Sequence, residues 1–139
     1  MGWRDSPAYF CTASETAHNV AKTLTKVPVG SLDQHPFKHY LVPPEKWPED
    51  DIQQCAEKLT HLLEVCIDDF IIQLAQTSDQ TQLTHLSRAL LHAIHAVFPL
   101  PAITGHNGED LVSLKKLQQR EGTWDTKKEI LGWVFDGAQ

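Results

Sequence analysis

Leu62-Leu63-Glu64-Val65-Cys66-Ile67-Asp68-Asp69-Phe70-Ile71-Ile72 is the stretch whose reading decides how this chain folds. Val65, Ile67, Ile71 and Ile72 crowd β-branched side chains around two acids, and such side chains suit a pleated strand better than a helix. Aspartate tolerates the positive φ angles of a tight hairpin turn, so the expected local structure is a β-hairpin with Asp68-Asp69 at its tip. A rival period runs through the same residues. Ile52, Cys55, Ala56, Leu59, Leu62, Leu63, Cys66, Phe70 and Leu74 recur at helical spacing, which would give one amphipathic helix with both aspartates on its wet face.

Upstream, Trp47-Pro48-Glu49-Asp50-Asp51 reads as a helix start, with acids where the helix dipole favours them. The expectation is a helix from there to about Leu62, then the hairpin. Residues 27–48 hold Pro28, Gly30, Pro36, Pro43, Pro44 and Pro48, which break helices and central strands, so this part is expected to be an irregular connection. Before it, Ser6-Pro7 can open a helix that continues through Val20 to Leu24.

Downstream, Asp79 can cap a helix with Leu83, Leu86, Leu90, Ile94 and Val97 on its apolar face and His85, Arg88, His92 and His95 on the other. Pro99 and Pro101 end it. Beyond His106-Asn107-Gly108, Leu111–Leu117 and Glu129–Phe135 are expected to be short strands.

The 139 residues, 41% of them hydrophobic, suit one domain with one ordinary core. A net charge of -6 argues against a free-standing nucleic-acid binder, because phosphate affinity rests on clustered Lys and Arg. Cys11, Cys55 and Cys66 form no Cys-x-x-Cys pair, which suggests neither a disulfide framework nor a cysteine zinc site and fits a reducing, intracellular setting. No stretch approaches the roughly 18 apolar residues of a membrane span.

Asp68 and Asp69 are the leading chemical candidates, since unpaired buried charge is costly and a divalent cation would satisfy both carboxylates. The same pair also fits an ordinary solvated turn. His92 and His95, three apart, and His35 and His39, four apart, can share a helix face, but each pair lacks an evident third ligand.

Three separated segments, in order, resemble the reverse transcriptases of retroelements. Cys66-Ile67-Asp68-Asp69-Phe70-Ile71 resembles the Tyr-x-Asp-Asp catalytic hairpin. Gly2-Trp3-Arg4-Asp5-Ser6-Pro7-Ala8-Tyr9-Phe10 is similar to the segment leading into the helix after the nucleotide-binding turn. Lys128-Glu129-Ile130-Leu131-Gly132-Trp133-Val134-Phe135 is similar to a later strand with a Leu-Gly pair.

The resemblance implies an α+β fold, a partial polymerase palm whose antiparallel β-hairpin packs with two or three helices, as a single incomplete domain over residues 1–139. It implies an RNA-directed DNA polymerase from a retrotransposon, a nucleotidyltransferase that uses Mg²⁺, dNTPs and an RNA or DNA template-primer. Asp68 and Asp69 would be the catalytic metal ligands. Ser6, Pro7, Tyr9 and Phe10 would lie near substrate and template, Leu131 and Gly132 would support the primer grip, and Lys116 would be a candidate general acid.

Cys66 stands where the family usually has an aromatic residue. None of these residues matches the family's other catalytic aspartate, its fingers or its thumb, so the chain by itself is expected to be an inactive fragment. The alternative, resting on the long-helix reading of Ile52–Leu74, is a small helical protein-interaction module without catalytic activity.

Overall fold

The computed structural model describes residues 6–37, 40, 61–66, 69–74, 80–98 and 112–136. Helix α1, Ser6–Leu24, starts at the Ser-Pro pair, where proline's missing amide hydrogen removes no helical bond. It closes with Thr25 N–H donating to the Ala21 carbonyl at 2.9 Å and the Thr25 hydroxyl donating to the Lys22 carbonyl at 2.9 Å. Ser14, Ala17, His18, Ala21 and Thr25 are buried, and their three- and four-residue spacing marks one helix face.

Strands β1, His61–Cys66, and β2, Asp69–Leu74, form the expected antiparallel hairpin. The strands exclude the single helix from Ile52 to Leu74 and shorten the helix expected to reach Leu62, because His61 and Leu62 pair with Leu74 and Gln73. The remainder of that expected helix, including its start at Trp47–Asp51, lies outside the described residues. Paired Leu63 and Ile72 reach the core that Ala21 and Ala93 share, while Leu62 and Glu64 are exposed. That alternation is the period of a sheet with one dry face.

Helix α2, Gln80–Val97, is the centre of the packing. It lies against α1, and each helix contributes two fully buried alanines, Ala17 and Ala21 from α1, Ala89 and Ala93 from α2. Side chains this small let backbones approach closely. Leu91 points to another side and packs with Leu117, Phe37, Tyr40 and Val112. Of the expected apolar face, Leu86 is fully buried and Leu83, Leu90, Ile94 and Val97 are half-buried.

His85, expected on the polar side, is instead buried with Nε2 donating to the Thr25 carbonyl at 3.3 Å. The reason is that α2 is covered on more than one flank, so a two-sided pattern misassigns the flanking residues. Asp79, the expected cap, lies outside the described residues. Within the proline-rich connection, residues 27–37 hold neither helix nor strand, as expected, whereas Tyr40 is helical.

Where a strand is expected at 111–117, the chain forms a short helix, α3, Leu114–Gln118. Ser113 decides this, because its side chain accepts the Lys116 amide as an N-cap, and Leu114 and Leu117 are then three apart with Leu117 buried. The helix ends with Arg120 at φ 64°, its amide donating to the Leu117 carbonyl and the Glu121 amide to the Lys116 carbonyl. That is a Schellman ending with arginine in the usual glycine place.

The single strand expected at Glu129–Phe135 is a hairpin of β3, Lys127–Ile130, and β4, Trp133–Asp136. Leu131 and Gly132 are its turn, with φ 53° and 78°, the two positive values of a type I′ connection. Leucine is a poor residue for the first position, which hides the turn in the sequence. The described residues are therefore α+β, with three helices and two small antiparallel hairpins among them.

Candidate functional site: the β1–β2 hairpin

The register pairs Cys66 with Asp69, so only residues 67 and 68 separate the paired strand ends. Asp69 opens β2. Asp68 lies outside the described residues, as does the side chain of Asp69. Asp69 thus falls at the end of the paired strands, with Val65 facing Phe70 and Glu64 facing Ile71 behind it.

The hairpin is fastened to α1 by His18. The imidazole is buried, its Nε2 donates to the Leu63 carbonyl at 2.8 Å, and the same nitrogen lies 4.0 Å from Glu64 Oε2. Nδ1 lies 3.6 Å from Glu15 Oε2, one turn back on the helix. An edge strand leaves backbone groups unpaired, and a side chain that binds one of them from a neighbouring helix fixes where the strand sits. Nothing in the motif reading pointed to His18. Its spacing from Ser14 and Ala21, four before and three after, was the available signal.

The other candidate residues are spread over the molecule. Ser6 and Pro7 begin α1; Tyr9 on that helix is 72% exposed. Phe10 is half-buried and stacks on Phe98 beyond α2, with ring centroids 5.9 Å apart. Lys116 is exposed on α3, whose buried Leu117 meets Leu91. Leu91 and Ala93 are two residues apart, roughly opposite each other around a helix, so α3 and the hairpin pack on different flanks of α2. Leu131 and Gly132 are exposed in the β3–β4 turn. That second hairpin is tethered to α2 by Trp124, whose Nε1 donates to Ser87 Oγ at 2.8 Å.

Magnesium takes oxygen ligands, and adjacent carboxylates at a hairpin end are of the right chemistry. Among the described residues no group of three or more His, Cys, Asp or Glu side chains is placed to hold a metal ion. Among the described residues, no helix is long and apolar enough to cross a membrane. Compared with family models, with curated proteins and with solved structures, the chain matches none.

Proposed function

We propose that this chain is the palm portion of a retroelement reverse transcriptase, with Asp68 and Asp69 as the carboxylate pair that takes Mg²⁺ for nucleotidyl transfer. The observation that supports it is the hairpin: strands at His61–Cys66 and Asp69–Leu74 set Asp69 at the start of the second strand, with only residues 67 and 68 between their paired ends. The interaction-module alternative rested on one helix through Leu74, and that helix is not formed.

Mg²⁺ in such a site aligns the attacking hydroxyl and neutralises charge on the leaving pyrophosphate. The chain's own contribution is to seat the strands that flank the pair, through the core positions of Leu63 and Ile72 and the His18 bond to β1. The second hairpin fits the reading too. Leu131 is 58% exposed at φ 53°, a strained position for leucine that gains nothing from burial, and Trp133, Val134 and Phe135 beside it are exposed. Such a ribbon suits a surface that supports template-primer.

The reaction needs a carboxylate beyond Asp68 and Asp69. The chain by itself is expected to extend no primer. The test is a chimera in which residues 2–136 replace the equivalent segment of an active reverse transcriptase. Mg²⁺-dependent primer extension, abolished by Asp68→Asn, is expected. A chimera that folds and binds template-primer but extends nothing would count against the reading.

A further inference from the structure

Of the two histidine pairs noted in the sequence, His92 and His95 are joined in space by His35, while His39 lies outside the described residues. His35, from the proline-rich connection, lies between His92 and His95 of α2, with ring centroids 5.0 and 4.9 Å away. His35 is buried, 4% exposed, and the Phe37 amide donates to its Nδ1 at 3.1 Å. An imidazole that accepts at Nδ1 carries its proton on Nε2. That nitrogen is 2.8 Å from His95 Nδ1, and the two rings are parallel within 3°. His35 therefore donates and His95 accepts. Beside them the His92 ring donates from Nε2 to the Asp33 carbonyl at 2.8 Å, and the Phe37 ring packs edge-on against both His35 and His95.

We infer that this cluster is an acid-released joint between the segment ending at Phe37 and helix α2. Histidines 18, 85 and 92 each donate to a backbone carbonyl, a role that imidazolium keeps. The His35–His95 joint differs because it uses two ring nitrogens as acceptors. A proton added at His95 Nδ1 removes the acceptor of the His35 bond. A proton added at His35 Nδ1 displaces the Phe37 amide. A second proton sets like charges against each other across a 2.8 Å contact.

The described titratable and charged groups around the joint are His92 and His95 on α2, Asp33 and Tyr40 on the connection, and exposed Lys115 and Lys116 on α3, which shares the cluster of Leu91, Leu117 and Phe37. As acid protonates the joint, the connection leaves α2. The α1, α2 and β1–β2 core stays.

The test uses the whole isotope-labelled chain, with imidazole tautomers read by long-range ¹H–¹⁵N correlation and docking read by the Phe37-to-Leu91 nuclear Overhauser effect. At pH 7.5 both His35 and His95 are expected to carry the proton on Nε2. At pH 5.0 the Phe37–Leu91 effect is lost while the Ala21–Leu63 effect persists. His95→Asn supplies an acceptor near the Nδ1 position that does not titrate, and it moves the loss to lower pH. His92→Gln, which keeps a donor, leaves the response in place. Other tautomers at pH 7.5, persistence of the Phe37–Leu91 effect with both rings protonated, or an unchanged response in His95→Asn would overturn the inference.

Discussion

His18 on α1 donates from Nε2 to the carbonyl of Leu63 on β1 at 2.8 Å, and Leu63 in turn is buried beside Ala21, three residues further along the same helix. The strand that leads to the acidic pair is thus held by one polar and one apolar contact from a single helical turn. Replacing His18 by Ala leaves that carbonyl in a buried place without its donor, a loss of about 1–3 kcal/mol. Urea unfolding of His18→Ala should show it. A midpoint unchanged from the parent chain would mean that the bond contributes nothing to stability.

The close approach of α1 and α2 depends on alanines. Ala21 and Ala93 are fully buried in one cluster, so Ala21→Leu or Ala93→Leu should cost about 1–3 kcal/mol through overpacking. Leu62→Ala, at an exposed position, should cost much less. Equal effects at buried and exposed sites in thermal unfolding would contradict this packing.

Two residues sit in left-handed backbone that their side chains disfavour, Arg120 at φ 64° and Leu131 at φ 53°. Arg120→Gly and Leu131→Asn should each stabilise the chain by up to about 1 kcal/mol, because glycine at C′ and asparagine in a type I′ turn relieve that cost. Calorimetry of the two variants checks this, and destabilisation by either would argue against the assigned turn.

Trp124 ties the second hairpin to α2 through Ser87, which is buried. Trp124→Phe removes the donor, leaves the hydroxyl without it, and should cost about 1 kcal/mol. It should also speed hydrogen exchange across β3 and β4 more than in α1. Uniform exchange rates in parent and variant would refute the tether.

What was legible in the sequence follows the strength of each local signal. The helix from Ser6 and the helix ending near Val97 were readable from a Ser-Pro start, long apolar periods and terminal prolines. The β1–β2 hairpin was readable because β-branched residues flank the acids on both sides. The β3–β4 turn was not, because Leu131 occupies a place where asparagine or glycine usually announces the bend. The strand expected at Leu111–Leu117 gives way to helix α3 because the cap at Ser113 outweighs a short apolar run that fits either period.

The candidate site was legible only as a local motif. Asp68-Asp69 stands out by composition, whereas the residue that seats its hairpin, His18, is separated from Leu63 by 45 positions and is disclosed only by packing. The same is true of His35, which meets a histidine 60 positions away. Long-range hydrogen bonds between side chain and backbone leave no periodic trace.

The metal-binding role proposed for Asp68 and Asp69 is tested most directly by paramagnetic broadening of amide signals by Mn²⁺. At low Mn²⁺ the amides of Cys66, Asp69 and Phe70 should broaden before those of β3 and β4, and Asp68→Asn combined with Asp69→Asn should abolish the effect. Broadening absent from the hairpin, or equally strong in the double variant, would contradict the claim and leave the pair an ordinary solvated turn.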